Sequence, residues 1–586
     1  MKDLILTNLN KFEIRDENFE FLGPWCFRDL EDKEKYWDQV KFEALFQNGK
    51  EFEEASKYII SFAEKLLVQY SKKLNKLHKR NYSEEYWSIL LMSWIIRSLE
   101  IFFIRYKDLI KLNDNQYSVS IFDQEIKAKF DNSRNFYNYL LSEHGQHYSY
   151  SVLIEYLKLE NLKINYIKDD KEKKPTKHQK NIDRHNIISE YRRSIKQIMS
   201  IFFANIFGVY IDGIKGIGVF NVMSIGLKLS SIKNKKENTI SPDNKLKTEI
   251  KSEKKYKDFE EFIENCLFEL IPESLTTDFK KYEFKSKKKL NLLSKKHKVL
   301  IVGAIMGGIE SQRYFLAHFK EERKGKIAVS QHGGLSYGIM RTFPSAAMIE
   351  YKNADYFLSW GWCEHSDYQV NAIPVASPLL SRKINSRKSV SNEIILVGAQ
   401  ARLVNDRLSS RIQTEQCNNY RDEKIRFIES LENENIKNLF YRPYYSEIDS
   451  YPEKSFLKNK VPSIRFIDDN FDKRLVKAKC VIIDHPGTTF EISLAINIPT
   501  LLFWNKSSWL QTDEGEQVLE MLEEAKIFHP NGKSAATFLN SISNNIDSWW
   551  NSKEVKDAKN HYQKQYALTS QRWEDEWVQL INKLNN

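Results

Sequence analysis

Two glycine-bearing turns carry the side chains best suited to chemistry. One is Asp484-His485-Pro486-Gly487-Thr488-Thr489-Phe490-Glu491, which follows the apolar run Cys480-Val481-Ile482-Ile483 and opens a stretch with helical spacing. A glycine, two hydroxyls and the free N–H groups of a helix start then share one point, and both the orphan donors and the helix dipole favour an anion there. Gly487, Thr488 and Thr489 are therefore candidate phosphate-binding residues. Glu491, one turn in, is placed to accept hydrogen bonds from ribose hydroxyls, and His485 to contact a phosphate or stabilise a departing nucleotide. The plainer alternative is a capped helix with Thr488 or Thr489 as N-cap and Glu491 favoured by the dipole. A phosphate-type turn in a strand–helix context favours the functional reading.

The other turn is Gln331-His332-Gly333-Gly334, at the end of the run Lys326-Ile327-Ala328-Val329-Ser330. In open α/β sheets the C-terminal strand ends face the ligand crevice. Paired glycines let the backbone approach a ligand closely. His332 is a candidate general base for an acceptor hydroxyl, because imidazole titrates near neutral pH. Gln331, Gly333 and Gly334 complete that acceptor-side loop; the bland alternative has His332 merely bonding the strand-end turn. Gln400, Arg402, Arg407 and Arg442 follow two further strands, and guanidinium forks suit diphosphates, although each alone reads as a surface ion pair. Gly303-Ala304-Ile305-Met306-Gly307-Gly308, with Glu310 and Arg313 nearby, is a weaker glycine loop. Glu143-His144-Gly145-Gln146-His147 offers two histidines without a third ligand, so no metal is expected.

Strands must deliver these turns. Lys298 to Gly303, Lys326 to Ser330 and Asp355 to Gly361 are short β-branched or aromatic runs of the kind that form buried parallel strands. A second set follows: Glu393 to Gly398, Asn438 to Pro443, Cys480 to Asp484 and Pro499 to Trp504, alternating with helical stretches at Arg421 to Glu432, Phe471 to Lys479 and Thr489 to Ile496. Alternation of this kind implies βαβ units. The expected fold is α/β, with two Rossmann-like domains facing a cleft. Residues 1–385 form the acceptor side, enlarged by α-helical insertions over about 33–290; residues 386–543 form the donor side; residues 544–586 form a helical tail.

Before Lys298, Leu4-Ile5-Leu6 and Phe19 to Cys26 read as strands. Helical spacing runs from Lys33 to about Lys111, broken near Arg80 to Ser83 with Ser83 as a cap, and again from Asn135 to Leu159. Lysine-rich runs at Lys168 to Arg184 and Lys233 to Lys257 read as solvated loops. Trp87 to Tyr106 and Ile198 to Leu229 are apolar, but Arg97 with Glu100, one turn apart and able to pair, and Asp212 with Lys215 interrupt them. Neither reaches about 18 uninterrupted apolar residues, so both read as buried helices, with peripheral membrane contact left open.

The chain has 586 residues, too many for one core, so at least two domains are expected. Its 90 basic and 79 acidic residues give a net charge of +11, a modest excess for this length. No nucleic-acid-binding motif accompanies the excess, so no nucleic-acid partner is expected. The five cysteines are scattered and lack any C-x-x-C pair, which points to a reducing, cytoplasmic setting. The N-terminus lacks the pattern of a signal peptide.

Val481 to Trp504 resembles the donor-site region of GT-B glycosyltransferases, in which a glycine- and hydroxyl-rich turn precedes a helix carrying a ribose-binding glutamate. With Leu22-Gly23-Pro24-Trp25-Cys26 and Gln331-His332-Gly333-Gly334, the chain resembles a family of bacterial transferases found among surface-carbohydrate and lipopolysaccharide genes. The resemblance runs over most of the chain, on short motifs. It implies sugar transfer from a nucleotide-sugar donor to a glycan, lipid-linked or protein acceptor at the inner face of the membrane, with no cofactor. His485-Pro486 is similar to the pair found in sialyl- and Kdo-type transferases, whose donors are CMP-sugars. His332 resembles the loop histidine of polyol-phosphate polymerases, which makes transfer of a polyol phosphate from a CDP-linked donor a rival reaction; a non-catalytic scaffold subunit is a rival of another class. No D-x-D pair sits in a strand-end loop, which argues against a metal-dependent GT-A enzyme, and Asp468-Asp469 reads as helix capping.

Overall fold

Four consecutive buried residues, all apolar except Thr500, recur at Val299–Val302, Ile394–Val397, Cys480–Ile483 and Thr500–Phe503. Strands of that kind need helices on both sides of a parallel sheet. The computed structural model describes residues 1–13, 18–28, 36–37, 42–112, 115–122, 130–167, 177–231, 254–303, 309–334, 337–342, 347–444 and 451–585.

Among these residues the strands form three sheets, parallel throughout. The first contains β1 (Lys2–Ile5), β2 (Phe19–Phe21), β3 (Tyr117–Phe122) and β4 (Leu162–Ile167) in the order β2-β1-β3-β4. The second runs in sequence order through β5 (Tyr210–Asp212), β6 (Val299–Val302), β7 (Lys326–Ser330), β8 (Tyr356–Ser359) and β9 (Ala372–Pro374). The third holds β10 (Ile394–Val397), β11 (Leu439–Arg442), β12 (Arg465–Phe466), β13 (Cys480–Ile483), β14 (Thr500–Phe503) and β15 (Phe528–His529). Its order, β12-β11-β10-β13-β14-β15, is the doubly wound order, with the reversal between β10 and β13. The pairing there is Ile394 with Cys480 through Val397 with Ile483. Gly398 and Asp484 thus leave neighbouring strand ends at the place where such sheets bind ligands.

The α/β reading with parallel sheets holds, but the N-terminal half is more than helical insertions. The span 33–290 contributes β3, β4 and β5, and the first sheet stands as a third sheet. Phe19 to Cys26 is not one strand, because Pro24 opens a 3-10 turn, Pro24–Phe27, right after β2. Asn135 to Leu159 is two helices, Ser133–Leu141 and Glu143–Leu157, with Ser142 ending one and capping the next. Of the lysine-rich runs, residues 168–176 and 233–253 lie outside the described residues, while a helix, Lys177–Phe207, begins inside the first. In the weaker glycine loop, residues 304–308 also lie outside them.

Ser83 caps the helix Glu84–Ile110 as expected, its Oγ accepting from Tyr86 N–H at 3.2 Å. That helix is long and apolar enough to cross a membrane, yet it is buried on nearly every face. Arg97 lies over the Tyr137 ring at 4.9 Å, while Glu100 accepts from the Leu408 N–H at 2.9 Å. Ile198 to Leu229 is not the buried helix expected. It spans the end of the helix Lys177–Phe207, β5 and the helix Val219–Ser231, and it exposes Ile198, Met199, Phe202, Ile206, Phe220 (83%) and Leu227.

The tail helices tie the sheets together. Tyr562, in Lys553–Tyr566, reaches Glu491 on the helix Thr488–Ile496 that follows β13 of the third sheet, and Trp577, in Trp573–Asn585, bonds the Ala376 carbonyl at 2.9 Å beside the second.

Candidate functional site

The helix Thr488–Ile496 springs from β13, and its N-cap is Gly487, in extended backbone and with no side-chain cap. Neither threonine caps the helix, so the capping alternative does not hold. The Thr488 hydroxyl instead accepts the Gly334 N–H at 3.0 Å. The two turns picked out from the sequence therefore meet, one from the end of β7 and one from the end of β13. A Cβ on Gly334 would stand 1.9 Å from Glu491 Oε2, so only glycine fits; at Gly333 the nearest atom to such a Cβ is Thr488 Oγ1 at 3.5 Å. Glu491 is fully buried (0% exposed) and accepts the Tyr562 hydroxyl at 2.7 Å. Thr489 is half-buried on the first turn, where its carbonyl accepts from Ser493.

Gln331 locks the acceptor-side loop: its Oε1 accepts from Trp360 N–H and Trp362 Nε1, each at 2.9 Å, and its Nε2 donates to the Gly333 carbonyl at 2.7 Å. His332 Nδ1 lies 2.9 Å from Tyr337 Oη, and the Tyr337 hydroxyl donates to Glu350 Oε2 at 2.8 Å. Glu350 Oε1 is 3.6 Å from His332 Nδ1. Burial, with Lys215 nearby, pushes the His332 pKa down to about 4, and burial pushes Glu350 up to about 7 despite the Tyr337 hydrogen bond. Near neutrality the imidazole is uncharged. If Nδ1 carries its proton toward Tyr337, Nε2 keeps a lone pair for a substrate proton.

At the β10/β13 reversal lies a buried network. Lys424, 0% exposed, holds Asp484 Oδ2 at 3.0 Å, Tyr441 Oη at 3.0 Å and Glu453 Oε1. Asp484 Oδ1 accepts from Tyr420 at 2.9 Å and lies 3.0 Å from His485 Nδ1. Burial alone would raise the Asp484 pKa, but Lys424 and His485 hold it below the usual carboxylate value; Glu453, also buried, is raised. A Cβ on Gly487 would meet His485 Nε2 at 2.9 Å, so the imidazole lies over the helix start.

Arg402 does not join this group. It pairs with buried Asp406 at 2.7 Å, as do Arg411 and, at 3.6 Å, Arg407, while Tyr137 donates to Asp406 at 2.5 Å. Arg442 ends β11 with its guanidinium over Phe471 at 5.6 Å. His147 is buried against Phe122, its Nδ1 3.3 Å from Ser151 Oγ.

Tyr337, Glu350, Lys424 and Tyr562 were not singled out from the sequence. Glu350, a lone carboxylate in Ala346-Ala347-Met348-Ile349-Glu350-Tyr351, carried a signal: an acid in an apolar run is either paired or functional. Tyr562 carried none.

Together the junction offers a neutral imidazole, a helix start with free backbone donors, and hydroxyls, the parts a group-transfer reaction uses. No curated protein matches the chain. The profile of the LIC12162 family transferases covers residues 2–581, so the chain belongs to that family and is a transferase enzyme.

Proposed function

We propose that this transferase is a glycosyltransferase of GT-B organisation. It moves a sugar from a nucleotide-sugar donor, with CMP-linked sugars among the candidates, to an acceptor in bacterial surface-glycan assembly. The observation that carries the reading is the meeting of the Gln331–Gly334 turn with the Gly487–Glu491 turn across two sheets. The Gly487–Thr489 amides and the helix dipole take the donor phosphate. His332 Nε2 takes the acceptor proton as the acceptor oxygen bonds the anomeric carbon. The bond from that carbon to the phosphate oxygen breaks, and its electron pair leaves on the nucleotide beside His485. Glu491, behind Gly334, reaches a ribose only when the Gly334 turn moves aside.

The donor reading is tested by thermal stabilisation with CMP, CDP, UDP, GDP and ADP. One nucleotide is expected to stabilise the protein, by about 2.7 kcal/mol at a hundredfold excess over Kd, and Thr488→Val and Glu491→Ala should weaken the effect. No shift with any nucleotide near a millimolar sinks the reading and favours a scaffold. Identifying the transferred group separates sugar transfer from polyol-phosphate transfer.

The base assignment predicts a pH profile. His332 stays deprotonated until the pH falls toward 4, while Glu350 ionises through about 7 and then stabilises the imidazolium formed in the reaction. The rate is expected to rise through pH 7. Glu350→Gln should abolish that rise and lower the alkaline plateau roughly tenfold, the equivalent of 1.4 kcal/mol. A variant that keeps the rise places the titration elsewhere.

A further inference from the structure

Ten of the sixteen large apolar side chains that stand exposed among the described residues fall on three neighbouring helices. Single exposed apolar residues are ordinary, but a cluster marks a surface that meets something other than water. On the helix Lys177–Phe207 they are Ile195, Ile198, Met199, Phe202 and Ile206, whose spacing of three and four puts them on one outward stripe. The helix Val219–Ser231 adds Val219, Phe220 and Leu227, the last two lying two turns apart on one side. These helices touch where Gly226 meets Phe207: a Cβ on the glycine would stand 2.3 Å from Phe207 Cβ. On the other flank the helix Phe279–Leu292 exposes Phe284 and Leu292. Asn205 ties it on, donating to the Leu292 carbonyl at 2.7 Å and accepting the Ser294 N–H at 2.8 Å.

The charge around them has one sign. Residues 192–231 and 279–298 hold 14 lysines and arginines against two acids, Asp212 and Glu283, and both acids are buried. That local excess of 12 exceeds the +11 of the whole chain. Some of the cations are answered: Lys228 by Glu574 and Asp575, Lys281 by Asp278, and Lys287 by Glu283 and Glu322. Arg193 and Lys196 lie near buried Asp212. Arg192, Lys285 and Lys288 are exposed and in no ion pair among the described residues.

A second copy of the chain seated on this face would set cations against their own kind, which opposes such a dimer. A bilayer with anionic headgroups matches it. The apolar stripe enters the acyl boundary while the flexible basic side chains reach back to the lipid phosphates. Lys215 lies in the link between the helices Lys177–Phe207 and Val219–Ser231, and its charge helps to lower the His332 pKa. The face therefore lies within electrostatic reach of the acceptor-side loop.

We propose that the face built by these three helices docks the enzyme on an anionic lipid bilayer. That docking brings a lipid-borne acceptor to His332 rests on the transfer reading above; the docking itself does not. Cosedimentation of the full chain with vesicles tests it. Vesicles of phosphatidylcholine mixed with phosphatidylglycerol are expected to carry the protein down, vesicles of phosphatidylcholine alone far less, and added salt should release it. Joint Phe202→Ser and Phe220→Ser should weaken binding by roughly tenfold or more, and joint Lys285→Glu and Lys288→Glu by a similar factor. Val390→Ser, which removes an apolar side chain as exposed as Phe202 but outside these helices, should change nothing. Failure to bind the anionic vesicles at low salt overturns the proposal. So does equal binding to both kinds of vesicle, parental binding in both double variants, or an equal loss in Val390→Ser. Sedimentation velocity without lipid reads the rival occupant: a dimer that dissociates in the Phe202/Phe220 variant gives the face to a second copy and overturns the lipid assignment. If no nucleotide stabilises the protein while vesicle binding still follows the variants, the docking stands and only the donor reading is lost.

Discussion

Exchanging Lys424 for methionine is expected to cost about 3–5 kcal/mol of folding stability, the usual penalty for stripping one partner from a buried ion pair. The ammonium is the one group among the described residues that pairs with both Glu453 and Asp484, and both carboxylates are buried beside it. Methionine fills the volume and leaves two desolvated acids facing one another. The pH dependence of the Asp484 contribution should change sign with it, while buried Glu453 is raised in both proteins. In the parent, Asp484 is held below its unfolded value, so its contribution is present above about pH 4 and fades as acid protonates the folded state. In the variant both acids have folded pKa values above their unfolded ones. Their charge-related stability is then complete in acid and drains away as the pH rises. Urea unfolding at pH 5 and pH 8 should show the gap between the two proteins widening toward pH 8. Equal midpoints at both values would mean that the network carries no net energy.

Gly334→Ala is the other large effect. The added methyl has its backbone in an ordinary region, so space alone opposes it: Glu491 Oε2 would be 1.9 Å and Cδ 2.2 Å away. Glu491 cannot swing clear, because it is fully buried and bonded to Tyr562. Overpacking of this kind costs about 1–3 kcal/mol. The turn must back away from Thr488, and with it goes the alignment of His332 against the helix start. A displacement near an ångström is worth about a hundredfold in rate. The expected result is a transferase slowed by that order with a lowered unfolding midpoint, and partial recovery on adding Glu491→Asp, which draws the carboxylate back. A Gly334→Ala protein with parental rate and stability would show that the two turns need not touch.

The parallel strands were legible because fully buried strands leave short apolar runs, and Ile394-Ile395-Leu396-Val397 can be little else between polar helices. Gly334 and the Gly487 turn were legible too, since a close approach leaves its mark in a local residue type. Of the first sheet, β1 and the start of the Phe19 run were legible, and β3 and β4 were not. Leu162-Lys163-Ile164-Asn165-Tyr166-Ile167 alternates with polar residues and sits amid helices, so its pairing with Tyr117–Phe122 comes from tertiary contact alone. The helix from Lys177 was hidden by lysines whose aliphatic stems serve a helix as well as a loop. The arginines behaved differently again. Arg402 carries two readings in the sequence, diphosphate fork and ion pair, and the ion pair holds, with Asp406, four residues on, as its partner. Lys424 and Tyr562 could not be picked out, because their partners are tens of residues away and no spacing rule connects them.

The Tyr562–Glu491 bond also bears on how the enzyme is born. Glu491 leaves the ribosome 71 residues ahead of Tyr562, roughly 4–14 s at ordinary synthesis rates. Throughout that interval the nascent chain holds both turns but not the hydroxyl that fastens Glu491 behind Gly334. A growing or prematurely stopped chain is therefore left with its central junction unfastened. The helix Lys553–Tyr566 acts as a clasp that closes on the junction after both turns are in place.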